Sequence, residues 1–128
     1  MAKSIGVGVI GIGMGSTMFP LNLDENSPFE VRSICSGTAS KVEALAKEWD
    51  IRHWTTDYLE VINRPDVDVI GVYSPDHLHA EHVTAALEAG KHIVCTKPMV
   101  TSVEDADRLV RLVDEKGVKF LVGQTMRF

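Results

Sequence analysis

A glycine-rich segment, Gly11-Ile12-Gly13-Met14-Gly15-Ser16, directly follows the apolar run Ile5–Ile10. In such a turn the first glycine permits the tight reversal from strand to helix, and the second lets the backbone approach a diphosphate. The third residue must be small so that the helix packs against the strand. Here Ser16 is the third small residue, with Gly15 beside it. Backbone N–H groups at the start of the helix then face phosphate oxygens. The segment predicts a dinucleotide site; a tight turn without a ligand is the alternative.

The end of the second apolar run carries hydroxyls and a lysine instead of an acidic residue. It reads Ser36-Gly37-Thr38, with Lys41 just beyond. In dinucleotide-binding folds a carboxylate at this position bonds the adenosine ribose hydroxyls. A carboxylate repels a 2′-phosphate, whereas hydroxyls, a glycine backbone and a lysine accept one. We therefore expect NADP in preference to NAD; a simple turn followed by a helix cap is the alternative.

Two further polar segments follow later strands. They are Ser74-Pro75-Asp76-His77-Leu78-His79 and Cys95-Thr96-Lys97-Pro98. Burial beside a nicotinamide lowers the pKa of a lysine, which would let Lys97 take part in proton transfer. Lys97 can equally hold a substrate hydroxyl without exchanging protons, or be an ordinary solvated lysine before a turn.

Other patterns predict less chemistry. His77, His79 and His82 are close in sequence, but no cysteine or carboxylate pair joins them at ligand spacing, so we expect no metal site. Ser74 lies in no nucleophile-elbow motif, which argues against acyl transfer. The two cysteines, Cys35 and Cys95, end strand-like runs and are expected to be buried, reduced thiols of a cytoplasmic protein.

The elements that position these residues alternate between strand and helix. The strand-like runs are Ile5–Ile10, Phe29–Cys35, Val67–Tyr73, Lys91–Cys95 and Val118–Val122. Helical patterns with short connections fill the intervals between them. This alternation predicts an α/β fold of the Rossmann type, a doubly wound parallel sheet with right-handed crossovers.

Local signals place the helix boundaries. Ser40 and Glu43 have capping-box spacing, and Thr56 can cap a short helix through Ile62. Pro20 predicts a short or kinked first helix, with a loop over Leu21–Pro28. Gly90 and Gly117 are expected to end helices in the left-handed conformation. Ser102 is expected to cap the last helix, whose inward positions are Val103, Ala106, Leu109 and Val113.

Whole-chain properties limit the function. A chain of 128 residues forms one ordinary domain with a real core. The net charge of −5 argues against a nucleic-acid surface, which needs clustered basic residues. No apolar run is long enough to cross a bilayer.

The chain resembles the N-terminal domain of the glucose–fructose oxidoreductase / inositol dehydrogenase (Gfo/Idh/MocA) family, from Ile5 to its end. The resemblance is carried by the following motifs: Gly11-Ile12-Gly13, Ser74-Pro75-Asp76-His77-Leu78-His79-Ala80-Glu81-His82, Ala89-Gly90-Lys91-His92 and Thr96-Lys97-Pro98-Met99. The second and fourth are the distinctive ones. Three residues depart from the usual pattern, since Thr96 replaces a glutamate, Asp76 an asparagine, and Ser36 a frequent acidic residue.

The resemblance implies an NAD(P)-dependent oxidoreductase that acts on a secondary alcohol or carbonyl of a sugar, cyclitol or related molecule. It implies that Lys97 is catalytic and lies beside nicotinamide and substrate, that the Lys97–Pro98 bond is often cis, and that Pro75 and His79 line the nicotinamide end. Together with the motifs above, the candidate cofactor-binding residues are Gly11, Gly13, Met14, Ser16, Ser36, Gly37, Lys41, Ser74, Pro75, His79, Thr96 and Lys97.

The resemblance also implies a two-part enzyme. Residues 1–123 are expected to form the dinucleotide-binding domain, and residues 124–128 to begin a substrate domain that is absent from this chain. The isolated chain is then expected to bind cofactor with little turnover, and the enzyme to be a homo-oligomer. The alternative is a nucleotide-binding or redox-sensing module without catalysis.

Overall fold

The computed structural model describes residues 3–123, and its centre is a parallel sheet in the order β3-β2-β1-β4-β5-β6. The strands are β1 (Ile5–Ile10), β2 (Phe29–Cys35), β3 (His53–Thr55), β4 (Val69–Val72), β5 (His92–Thr96) and β6 (Phe120–Gly123). Every neighbouring pair is parallel, so each connection crosses over the sheet. The order reverses direction between β1 and β4, which is the point where such sheets bind ligands. The predicted Rossmann-type fold is confirmed.

Helical segments connect the strands. The α-helices are α1 (Ala39–Glu48), α2 (Tyr58–Ile62), α3 (His79–Glu88) and α4 (Val103–Lys116), with 3-10 segments at Met14–Asn22 and Asp76–Leu78. None of the helices between residues 3 and 123 combines the length and apolar character that a membrane crossing requires.

Two buried clusters form the core. Val7 and Val9 of β1 belong to one cluster, with Phe19 and Val42 packed beside them. Ile10 of β1 belongs to the other cluster. Successive strand residues point to opposite faces of a sheet, so β1 supplies both layers. Burying each such aliphatic side chain stabilises the fold by about 1.5–3 kcal/mol.

Several helix boundaries differ from the sequence predictions. Helix α2 is capped by Asp57, whose carboxylate accepts a hydrogen bond from the Leu59 amide at 2.9 Å, so the expected cap at Thr56 is wrong by one residue. Helix α1 begins at Ala39, which places Ser40 inside the helix and removes the predicted capping box. Val103 opens α4 and is 78% exposed instead of inward, so that expectation is wrong.

Other boundary signals are confirmed. Gly90 (φ +76°) and Gly117 (φ +65°) adopt the left-handed conformation after α3 and α4. The Ser102 hydroxyl caps α4 by accepting a hydrogen bond from the Asp105 amide at 3.1 Å. Glycine adopts the left-handed conformation easily because it has no Cβ, and the short serine hydroxyl can accept a hydrogen bond from the first turn of the helix.

The first crossover and the sheet edge also differ in detail. The segment Met14–Asn22 is a 3-10 helix that contains Pro20, so part of the predicted loop Leu21–Pro28 is helical. Proline has no N–H to donate, which weakens a regular α-helix there. Strand β3 was not predicted, because three residues are too few to show the alternation of a strand.

Candidate functional site

The carboxyl ends of the central strands lie in one row. In register, Thr55 of β3 pairs with Cys35, Cys35 with Ile10, Ile10 with Val72, and Val72 with Cys95. Adjacent strands are about 4.8 Å apart, so the segments that follow these residues share one edge. The turn at Gly11, the Ser36 segment, the Ser74 segment and Lys97 are therefore brought to the same edge of the sheet.

A cleft of ≈ 800 Å³ opens along this edge. Its walls come from the turns after β1, β2, β3 and β4, from the first two turns of α1 and from the first turns of α2 and α3. The lining residues are Ile10, Gly11, Ile12, Gly13, Cys35, Ser36, Gly37, Thr38, Lys41, Leu45, Thr56, Tyr58, Tyr73, Ser74, Pro75, Leu78 and His82. The cleft lies at the reversal of strand order, where this class of sheet binds nucleotides.

Gly11 makes the turn that forms the floor of the cleft. Its φ of +96° is unfavourable for residues with a side chain. A Cβ at Gly11 would lie 2.5 Å from the Tyr73 carbonyl oxygen, a backbone atom that cannot move aside easily. Gly11 is therefore required by the fold itself.

Replacing Gly11 with alanine is expected to lower the free energy of unfolding by about 3 kcal/mol, from backbone strain and from overlap with Tyr73. Urea unfolding followed by circular dichroism measures this change. Gly13→Ala is the matched control, because a Cβ at Gly13 meets nothing within 4 Å in the described range 3–123. Equal stability of the two variants would contradict the structural role of Gly11.

The third small residue is Gly15, not Ser16. A Cβ at Gly15 would lie 2.6 Å from Val9 Cγ1, so this glycine allows the 3-10 segment to pack on β1. The Ser16 hydroxyl instead donates a hydrogen bond to the Gly13 carbonyl at 2.8 Å. Ser16 thus tightens the turn, and neither Ser16 nor Met14 lines the cleft.

Gly13 is the one glycine of the turn beside which a Cβ would meet open space, which we call the Gly13 cradle. Gly13 is exposed, has a φ of −64° and lines the cleft. A Cβ there would meet no atom of residues 3–123 within 4 Å, so the described part of the fold does not require glycine at this position. The cradle fits a group that approaches the backbone closely, such as the diphosphate of a dinucleotide.

The turn after β2 presents hydroxyls and a cation. Ser36 Oγ accepts a hydrogen bond from the Thr38 amide at 3.3 Å, and the Ser36 amide donates to the Thr55 carbonyl at 3.3 Å. Lys41 is exposed on the first turn of α1 and forms no ion pair with residues 3–123. This corner of the cleft can therefore receive an anionic group.

The opposite wall is a buried hydrogen-bonded cluster. Ser74 Oγ and His82 Nδ1 are 2.7 Å apart, and both residues are buried. The His82 ring packs against Tyr58 with 4.3 Å between ring centroids. Burial is the main cause that lowers the pKa of His82, so the imidazole is held neutral near pH 7. Sequence analysis did not identify Tyr58 or His82 as lining residues, because the contact depends on the packing of α2 against α3.

Lys97 occupies the turn after β5. It is exposed, its peptide bond to Pro98 is cis, and its carbonyl accepts a hydrogen bond from the Thr96 hydroxyl at 3.0 Å. Neither Thr96 nor Lys97 lines the cleft in this conformation. Lys97 directly follows β5, the strand next to β4, and Cys95 of β5 pairs with Val72, which places the Lys97 backbone beside the Ser74 wall.

Of the candidate residues, the structure brings together Gly11, Gly13, Ser36, Gly37, Lys41, Ser74 and Pro75 around the cleft. The expectation for His79 needs correction. Its side chain is 0% exposed, and both ring nitrogens face backbone carbonyls instead of the cleft. For a histidine at the start of a helix, the sequence does not show whether the side chain faces the cleft or the core.

The two cysteines do not supply a nucleophile. Burial raises the pKa of Cys35 to about 11, with smaller contributions from the Asp57 and Glu60 carboxylates. Burial also raises the pKa of Cys95 to about 12. Both are free, buried thiols, as predicted, and they stay protonated near neutral pH.

Comparison with known proteins identifies a family that this chain matches. Residues 5–124 match the family model described as the Gfo/Idh/MocA oxidoreductase family, NAD-binding Rossmann fold. The chain is 32% identical over 127 residues to scyllo-inositol 2-dehydrogenase (NADP(+)) IolW of Bacillus subtilis, covering 98% of this chain and 34% of that protein. It is 30% identical over 133 residues to levoglucosan dehydrogenase of Pseudarthrobacter phenanthrenivorans, again covering 98% and 34%.

Solved structures agree with the fold. The structure of an NAD binding oxidoreductase from Klebsiella pneumoniae superposes with a TM-score of 0.85 at 27% identity, covering 95% of this chain and 35% of that one. The chain thus spans about a third of the length of the proteins it matches.

Proposed function

The chain belongs to the Gfo/Idh/MocA oxidoreductase family, and from this premise we propose that its cleft binds the cofactor of an NAD(P)-dependent dehydrogenase or reductase. The observation that carries the proposal is the Gly13 cradle, on the floor of a cleft at the reversal of strand order. The Gly11 and Ser16 N–H groups already donate to the Cys35 and Gly13 carbonyls, so the backbone N–H groups of residues 12–15 would hold the diphosphate. Ser74 and Pro75 would contact the half of the dinucleotide nearer to β4.

Titration of the 128-residue chain with NADPH and with NADH, monitored by calorimetry and by fluorescence, tests this proposal. We expect one site per chain. Absence of heat and of fluorescence change with both nucleotides would contradict it.

The reaction proposed for the complete protein is the oxidation of a secondary alcohol or the reduction of the matching carbonyl on a small polyol. The relatives' names refer to a cyclitol and to an anhydrosugar, which supports a sugar- or cyclitol-like substrate. When bound, the nicotinamide supplies the hydride chemistry. Lys97 would hold the substrate oxygen and donate or accept its proton. A rotation of its flexible, exposed side chain toward the Ser74 wall is needed for this role.

We propose NADP as the preferred cofactor. The corner formed by Ser36, Gly37 and Lys41 has hydroxyl and backbone donors and a cation, and no carboxylate follows β2 directly. These groups would hold a 2′-phosphate, with Lys41 as its charge partner. Relatives of both kinds are similar to this chain: IolW is named with NADP(+), and another scyllo-inositol 2-dehydrogenase of Bacillus subtilis with NAD(+), so the proposal rests on the residues of this corner.

Replacing Ser36 with aspartate is expected to weaken NADPH binding by about 10- to 100-fold, because a charge-assisted hydrogen bond is lost and repulsion replaces it. NADH binding should hold or strengthen, since a carboxylate can accept both ribose hydroxyls. Calorimetric titration with each cofactor measures the two affinities, and Ser36→Asn is the uncharged control. If Ser36→Asp weakens the binding of NADPH and of NADH to the same extent, the proposed 2′-phosphate site is contradicted.

The remaining proposals concern the whole protein. Residues 1–123 would form the cofactor domain, and residues 124–128 would begin a substrate domain; residues 1, 2 and 124–128 lie outside the described part of the chain. We further propose a cytoplasmic homo-oligomer, with little turnover by the 128-residue chain alone. Robust dehydrogenase activity of the isolated chain would contradict the last point.

A further inference from the structure

His79 is buried completely at the start of α3, where it bridges two segments of the sheet edge. Its Nε2 is 2.8 Å from the Ser74 carbonyl oxygen, and its Nδ1 is 2.6 Å from the Pro98 carbonyl oxygen. Cys95 Sγ lies 3.6 Å from the same Nδ1. One imidazole therefore connects the turn after β4 with the turn after β5.

The two carbonyls belong to functionally different segments. Ser74 forms the cleft wall, whereas Pro98 directly follows Lys97. Carbonyl oxygens only accept hydrogen bonds, so a ring N–H must donate; the neutral ring donates to one of them and the protonated ring to both. Removing the ring would also leave a buried carbonyl without its hydrogen-bond donor. The His79 side chain thus contacts the backbone of the turn that contains Lys97.

We propose that His79 is a positioning residue, which holds the Lys97–Pro98 turn at a set distance from the cofactor wall because its buried ring lies between the Pro98 and Ser74 carbonyls. The proposal rests on the cofactor-binding function proposed above. His79 has no contact with the cleft, so it acts through the backbone of the lysine turn and not on a ligand. Its loss is expected to displace Lys97 and to change the nucleotide site less than the loss of a cleft-lining residue does.

His82 provides a matched control on the same helix. It is also buried, and it also bonds Ser74, through the hydroxyl at 2.7 Å, but it has no hydrogen bond to the lysine turn. His79→Gln and His82→Gln therefore remove similar rings from one helix, and both alter the Ser74 wall. Only the first cuts the connection to Pro98.

The test uses the 128-residue chain labelled with 13Cε-lysine, with the Lys97 resonance assigned through Lys97→Arg. NADPH is added to the wild type and to each variant, and the shift of the Lys97 resonance is recorded with the dissociation constant. We expect a Lys97 response in the wild type and in His82→Gln. In His79→Gln the response should be lost, while the NADPH affinity stays closer to wild type than that of His82→Gln. In the complete protein, His79→Gln should lower kcat by about 10- to 100-fold with a similar KM for cofactor.

The outcomes separate the two claims. A wild-type chain that binds no NADPH would overturn the proposed function. NADPH binding with an equal Lys97 response in both variants would overturn the positioning role alone. If His79→Gln does not fold, a scalar coupling between a His79 ring nitrogen and the Pro98 carbonyl carbon in the wild type decides. The presence of this coupling supports the positioning role of His79. Rapid exchange of the ring N–H without the coupling overturns that role.

Discussion

Replacing Lys97 with methionine is expected to lower kcat of the complete protein by about 10²- to 10⁴-fold, the usual contribution of a positioned acid or base. Methionine keeps most of the length of the lysine side chain and removes its charge and its proton. Lys97 lies outside the lining of the cleft, so the affinity for NADPH should change little. Steady-state kinetics with a polyol substrate, together with calorimetric titration of NADPH, measures both quantities.

Lys116→Met is the control for this experiment, because Lys116 is an exposed lysine in the last turn of α4. It should retain full activity. An unchanged rate in Lys97→Met would end the catalytic role of that residue. The protein would then be better described as a nucleotide-binding module, in which cofactor binding is retained without a lysine-assisted reaction.

Replacing Gly13 with valine is expected to weaken NADPH binding by about 100-fold, which corresponds to the loss of two charge-assisted hydrogen bonds of about 1.5 kcal/mol each. The valine side chain would occupy the cradle and hold a diphosphate away from the backbone N–H groups. The fold should be unaffected, since among the residues that the structure describes no atom lies within 4 Å of a Cβ built at Gly13. Calorimetry gives the affinity, and thermal unfolding gives the stability.

Ala89→Val is a suitable control, because Ala89 is exposed after α3 and does not line the cleft. It should bind NADPH as the wild type does. If Gly13→Val is as stable as the wild type and still binds NADPH normally, the diphosphate does not lie on the turn after β1. That result would remove the main support for the proposed cofactor site.

Sequence patterns predict those parts of the fold that depend on local chemistry. The apolar runs, the left-handed glycines after α3 and α4 and the Ser102 cap all act within a few residues, and all are confirmed. The convergence of the Gly11, Ser36 and Ser74 segments also follows from sequence, because parallel strands bring their carboxyl ends to one edge. Strand alternation alone is sufficient for that prediction.

Features that depend on packing between distant elements were missed or misplaced. Gly15 and Ser16 are adjacent small residues, and only the position of Val9 decides which one packs against β1. His79 and His82 are both on α3, yet one spans to Pro98 and the other lines the cleft beside Tyr58. These assignments depend on tertiary contacts and leave no periodic signal in the sequence.

The most direct test is a crystal structure of this chain with bound NADPH. We expect the diphosphate over Gly13, the 2′-phosphate within hydrogen-bond distance of Lys41 or Ser36, and the Lys97 ammonium turned toward the nicotinamide ring. A structure in which the nucleotide occupies the cleft while Lys97 points into bulk solvent, far from that ring, would contradict the proposed catalytic role.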